Sequence, residues 1–217
     1  MLMFYLISFK MAGVIVVFDI DSQDLFWQIA GTISYVIMAG IILALIDHEG
    51  KTEYLRSLFK FPNISRLKFG GLVIFILILD FVLVLGYSVI YDSIGTIPEG
   101  GDLFFDANSA NSPLILILIF ISLAISAPLI EELIFRGYIL DSLRTNYSDL
   151  FSIFTSGILF GFMHWDPLFG FFDIYQTGAA TIGGFLYGWL RIKTGSLWPS
   201  IICHSIWNGT IFLIVYI

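Results

Sequence analysis

The stretch "SAPLIEELIFRGYIL", Ser126 to Leu140, sets Glu131, Glu132 and Arg136 inside an apolar run. Ionisable side chains in such a segment are costly in hydrocarbon and are kept only where pairing, hydration or function offsets the cost. Glu132 and Arg136 are four residues apart, so a helix stacks them on one face, about 6 Å apart along the axis, with the glutamate on the favoured N-terminal side. Glu131 is turned by about 100° from Glu132 and is not served equally by the same arginine. The spacing therefore predicts a helix with one carboxylate tied to Arg136 and one left over. A left-over buried carboxylate suits a general acid or base. A structural ion pair, with Glu131 reaching water near the helix end, is the other reading, and the stretch alone leaves both open.

The surrounding composition decides the class. Of 217 residues, 58% are hydrophobic and 12% charged, with a mean hydropathy of +0.93. A soluble domain carries about twice that charge. Several apolar stretches approach the ~20 residues that a spanning helix needs, and lipid offers backbone groups no partners except within helices or closed barrels. The fold class is all-α: a polytopic transmembrane helical bundle of about seven spans (six to eight), expected to enclose a polar intramembrane cavity. The spans are expected at 1–18, 25–46, 69–91, 113 through the opening stretch, 150–164, 174–190 and 197–217. The chain reads as a single integral membrane domain, with its motif-bearing core at about 113–217. The apolar N-terminus lacks a basic n-region and a small-residue cleavage site, so a first span is expected there rather than a removed signal peptide.

Orientation follows from the basic residues. Lys51, Arg56, Lys60, Arg66 and Lys68 crowd the 47–68 connection, Arg144 follows the fourth span, and Arg191 with Lys193 follows the sixth. The alternate connections hold Asp and Glu but no Lys or Arg. Seven spans put all the basic connections on one side, the cytoplasmic one. Leu55, Leu58, Phe59 and Phe61 interleave with Arg56 and Lys60, so 47–68 reads either as an interfacial amphipathic segment or as a plain basic loop. Outside that connection, no basic patch with interleaved aromatic residues points to nucleic acid. Cys203 is the single cysteine, which excludes an internal disulfide framework.

Other polar residues lie within the spans. Phe160 and His164, in "FGFMH", share a helix face, as do His204 and Asn208 in "HSIWN". His204 and Asn208 can each present an N–H towards a common point, which suits a developing oxyanion; bridging between membrane helices is the alternative. Asp80 has no local partner and is read as structural. Ala180, Gly184 and Gly188 form one ridge of small residues, and Gly157 with Gly161 a second, which lets helices approach closely.

Three elements in order, "EELIFR" at 131–136, "FGFMH" at 160–164 and "HSIWN" at 204–208, resemble the motifs of the CAAX protease and bacteriocin-processing family of intramembrane endopeptidases, also called Abi. The likeness covers the chain from Ser126 onwards. It implies that Glu131 and His164 activate water, that His204 and Asn208 stabilise the oxyanion, and that Glu132 and Arg136 support the site beside Phe160. The implied substrate is a membrane-associated protein or peptide, prenylated or otherwise, cleaved within the bilayer. No HExxH pair is present, which favours a metal-free site. Zinc held by Glu131, His164 and His204 is the variant. A non-catalytic immunity or scaffold protein of the same fold, and an ion-coupled transporter using Asp80, Glu131 and Glu132, are the competing classes. Internal repeats and paired broken helices, which mark many transporters, are not evident.

Overall fold

A computed structural model describes residues 52–94, 113–165 and 171–217, together with isolated positions between 33 and 50. The first predicted span, and all but a few positions of the second, lie outside the described residues.

Among the described residues the chain is helical. A short helix, α1 (Thr52–Leu58), is followed by α2 (Arg66–Ser93). Next comes a long helix, α3, in consecutive α-helical segments Pro113–Phe120, Ala127–Glu132 and Leu140–Arg144. Wider π-helical stretches, Ile121–Ser126 and Leu133–Ile139, separate those segments. Then follow α4 (Asp149–Met163), α5 (Phe171–Thr194) and α6 (Trp198–Tyr216).

The helix starts are legible locally. Ser65 accepts from the Lys68 amide at the head of α2, and Ser148 accepts from the Phe151 amide at the head of α4, each at 3.3 Å. Gly195, at φ +68°, closes α5 by donating its amide to Arg191 O, a left-handed position that glycine takes without a Cβ penalty. Pro199 then sits in the first turn of α6, where its missing N–H costs nothing.

Among the described residues, three helices are long and apolar enough to cross a membrane: Arg66–Ser93, Leu116–Arg144 and Trp198–Tyr216. On α2, Ile74, Phe75, Ile78, Phe81 and Val82 are all exposed, an apolar surface far beyond what a soluble monomer presents to water. This is the surface of an integral membrane protein. The fourth helix has only 15 residues; its rise of about 22 Å falls short of a ~30 Å hydrocarbon core.

The two ridges of small residues meet each other. A Cβ added at Gly184 would lie 2.8 Å from Gly157 Cα and 2.9 Å from Gly157 O, so α4 and α5 pack backbone against backbone. Across the bundle, Val73 and Ile76 of α2 join Tyr187 and Leu190 of α5 and Cys203 of α6 in one buried cluster.

The basic connections collect at one end. Leu58 of α1 is buried against Leu133, Leu197 and Ile201, its carbonyl accepts from the Leu197 amide at 2.9 Å, and Trp198 Nε1 donates to Phe59 O at 2.8 Å. The Tyr54 hydroxyl donates to Gly137 O and lies 2.8 Å from Asp141 Oδ2, which also accepts from Arg191 at 2.6 Å. The described part of this connection, from Thr52 onwards, is thus amphipathic, and its apolar side covers the ends of α3 and α6.

Candidate active site

From that capped end, Glu132 lies nine residues back along α3 from Asp141, roughly 13 Å deeper in the bundle. The helix changes pitch immediately after Glu132. Within the wider Leu133–Ile139 stretch Phe135, Arg136 and Gly137 are all buried. Arg136 and Glu132 have side chains with no solvent exposure, and Arg136 Nη1 donates to Glu132 Oε1 at 2.8 Å. The pairing expected from the four-residue spacing is present. The other terminal nitrogen, Nη2, donates to Gly184 O at 3.2 Å. The guanidinium carbon stands 4.3 Å from the centre of the Phe160 ring, a cation–π contact strengthened by the burial of Arg136.

Glu132 has a second partner. His204, 4% exposed on α6, brings Nδ1 to 3.0 Å from Glu132 Oε1. A carboxylate already receiving Arg136 only accepts, so the His204 Nδ1 carries the hydrogen. The opposite ring edge, Nε2, stands 3.8 Å from Glu131 Oε2. Adjacent glutamates on one helix thus take the two edges of a single imidazole. Glu131, expected to be left over by Arg136, is the more exposed of the two, at 16% for its side chain, and faces His204. The His204 ring is held flat by Tyr187, with ring centres 5.5 Å apart and planes 27° apart, and is met edge-on by Phe160 at 5.6 Å.

His164 is the C-terminal cap of α4, half-buried, its ring 4.8 Å from that of Phe160. Its Nδ1 lies 3.0 Å from Phe160 O. A carbonyl accepts, so Nδ1 carries the hydrogen and Nε2 keeps a lone pair. The two residues of "FGFMH" are therefore neighbours as their spacing suggested, and Phe160 links His164 to His204. Asn208, one turn beyond His204, donates one amide N–H to Leu123 O at 2.9 Å. Leu123 belongs to the first wide stretch of α3, Ile121–Ser126. One further N–H of Asn208 remains for another acceptor.

A cavity of about 90 Å³ lies between α2, α4, α5 and α6, with Asp80, His164, Gln176, Tyr187, His204 and Asn208 among its lining residues. Three of the four catalytic candidates read from the sequence border it, and the fourth, Glu131, adjoins His204. Asp80, Tyr187 and Gln176 were not in the sequence-based set. Asp80 carried the signal of an acid within an apolar span, whereas Tyr187 carried none until the helices were packed. Asp80 is 2% exposed, and its Oδ2 accepts from the Tyr187 hydroxyl at 2.7 Å.

Among the described residues no three His, Cys, Asp or Glu side chains converge as metal ligands. The only ring edge of His204 left for a ligand faces Glu131 at 3.8 Å, and His164 has one nitrogen committed to its own helix. Glu131, His164 and His204 in this arrangement do not form a three-ligand site, so no chemical step is routed through zinc.

No curated protein and no solved structure matches the chain. A family model described as "Type II CAAX prenyl endopeptidase Rce1-like" matches residues 113–210. That segment begins with α3 and contains both glutamates, Arg136, His164, His204 and Asn208. Residues 113–210, just under half of the chain, are thus similar to the Rce1-like type II CAAX prenyl endopeptidases.

Proposed function

We propose that the protein is an intramembrane endopeptidase that hydrolyses a peptide bond near the C-terminus of a membrane-associated, prenylated protein or peptide. The observation that carries this reading is the placement of His204 between Glu132 and Glu131, beside a cavity that His164 and Asn208 also line. The similarity of residues 113–210 to the Rce1-like family supports the reaction class and the prenylated substrate class.

In the proposed reaction Glu131 takes a proton from a water molecule that the His164 Nε2 lone pair helps to hold. The hydroxide forms a bond to the scissile carbonyl carbon, and the carbonyl oxygen becomes an oxyanion. The remaining Asn208 N–H and a proton on His204 Nε2 donate to that oxyanion. The C–N bond then breaks, and Glu131 returns its proton to the departing nitrogen. Glu132 holds His204 by Nδ1 and is itself held by Arg136, so the imidazole needs no reorientation during the reaction. The site works with water and protein groups alone. Seven spans with the capped, basic end in the cytoplasm complete the proposal, and an embedded polar cavity admits the tail from the membrane.

The test uses the purified full chain in liposomes with a prenylated CAAX peptide. Wild-type protein should cleave it, and Glu131→Ala should not, while remaining folded and membrane-inserted. Cleavage retained by Glu131→Ala removes the assigned base. No cleavage by the wild-type chain favours a non-catalytic scaffold, and ion flux without cleavage a transporter.

A further inference from the structure

The reaction above leaves one buried acid of the cavity without a role. Asp80 lies midway along α2, outside the segment matched by the family. It is 2% exposed and borders the same cavity as His164, His204 and Asn208. Its two oxygens differ. Oδ2 accepts from the Tyr187 hydroxyl at 2.7 Å, whereas Oδ1 is buried with no hydrogen-bond partner among the described residues. A buried polar atom without a partner costs free energy unless another molecule completes it.

The surroundings hold this acid in one orientation. Tyr187 is buried, stacks on His204, and its backbone carbonyl accepts from Ser200 Oγ at 2.9 Å. A Cβ at Gly183 would stand 3.3 Å from the Tyr187 ring and 3.7 Å from Asp80 Oδ2, so the glycine makes room for the pair on the cavity wall. The hydroxyl hydrogen of Tyr187 is used on Asp80, which leaves Oδ1 as an acceptor. An extended peptide lying in the cavity presents alternating C=O and N–H groups. The donors of Asn208 and His204 suit the first kind, and Asp80 suits the second.

We propose that Asp80 Oδ1 binds the substrate by accepting a backbone N–H from a peptide unit flanking the scissile bond, with Tyr187 holding the carboxylate in place. This assigns α2 a share of the substrate site and rests on the endopeptidase reading. Asp80 sets the register of the peptide; it takes no part in moving the proton of the attacking water.

The experiment compares wild type, Asp80→Ala and Asp80→Asn on a set of prenylated peptides. In each peptide one flanking amide is replaced by an ester, which removes the N–H and adds no bulk. At one position the ester should lower the wild-type kcat/KM by about 10- to 100-fold, the range for a hydrogen bond to a charged acceptor. Asp80→Ala should lose a similar factor on the all-amide peptide, mainly through KM, and lose little more on that ester. Asp80→Asn keeps the shape and a weaker, neutral acceptor, so its amide-to-ester ratio at that position should shrink. If Asp80→Ala does not fold, the Asp80→Asn ratio decides alone. Losses that multiply at every position, or an Asp80→Asn ratio equal to the wild-type one, overturn the role of Asp80 and leave the endopeptidase reading standing. A wild-type chain that cleaves none of the peptides overturns both.

Discussion

His204 Nδ1 stands 3.0 Å from Glu132 Oε1, and that same oxygen receives Arg136 Nη1 at 2.8 Å. One carboxylate oxygen therefore fixes both a guanidinium from its own helix and an imidazole from α6. Glu132 belongs to the positioning of the site, and its neighbour Glu131, at the other edge of the same ring, belongs to the proposed chemistry.

The two glutamates should accordingly respond differently to the same conservative change. Glu131→Gln keeps the shape and removes the base, so kcat should fall about 10²- to 10⁴-fold with stability unchanged. Glu132→Gln leaves Arg136 as an uncompensated buried charge and should lower stability as well as activity. Thermal unfolding in detergent, measured beside cleavage, separates the two. Equal stability loss in both variants contradicts the division of roles.

Arg136→Ala removes the ion pair, the bond to Gly184 O and the contact with Phe160 together. It leaves Glu132 buried and unpaired on that side. Breaking a buried pair from one partner costs about 3–5 kcal/mol, a large part of the stability of a bundle this size. The expected result is a sharply lowered unfolding temperature, and Arg136→Lys should rescue it only in part because the fork geometry is lost.

Gly184→Ala tests the backbone contact between α4 and α5. The new Cβ would meet Gly157 backbone atoms at 2.8–2.9 Å, and backbone does not swing aside as a side chain does. Separating the helices should cost about 1–3 kcal/mol and shift Phe160 and His164 relative to His204, so activity should fall even at temperatures where the variant stays folded. Gly195, with open space around its Cα, should tolerate a change to Asn far better.

The cap formed by α1 should be sensitive to alkali. Burial, reinforced by Asp141, pushes the Tyr54 hydroxyl well above its ordinary value of 10.0. A raised value in the folded state means its contribution is fully present below pH 10 and is lost as pH rises further. Trp198, bonded to Phe59 O at the same junction, reports the loss by fluorescence. Tyr54→Phe should remove this part of the alkaline transition; an identical transition in wild type and variant would contradict it.

Metal dependence gives a separate readout. A site that works through Glu131 and water should retain cleavage after dialysis against a strong chelator, and zinc added back should not raise kcat. Activity that disappears with chelation and returns with zinc would require His164 and Glu131 to move onto a common ion.

Much of this is legible in the sequence. An apolar chain with evenly spaced hydrophobic runs has to be helical in a bilayer, and the four-residue spacing of Glu132 and Arg136 predicts their contact because it is a property of one helix. The pairing of Phe160 with His164 follows in the same way. The small-residue ridges at 157–161 and 180–188 announced close packing but not that they would pack on one another. Nor did spacing reveal that the helix carrying the glutamates widens at Leu133–Ile139, since i→i+5 turns leave no clear mark in side-chain periodicity.

Contacts between helices were out of reach in principle. Nothing within "EELIFR" or "HSIWN" says that His204 turns one ring edge to each glutamate, because that depends on the relative rotation of α3 and α6. Asp80 shows the same limit: from its own helix it is a lone acid, and only the approach of α5 gives it Tyr187 on one oxygen and a cavity shared with His204. Local periodicity and hydropathy decide which residues share a helix face. The identity of the residue across the gap is set by packing between segments far apart in the chain, 72 residues for Glu132 and His204 and 107 for Asp80 and Tyr187.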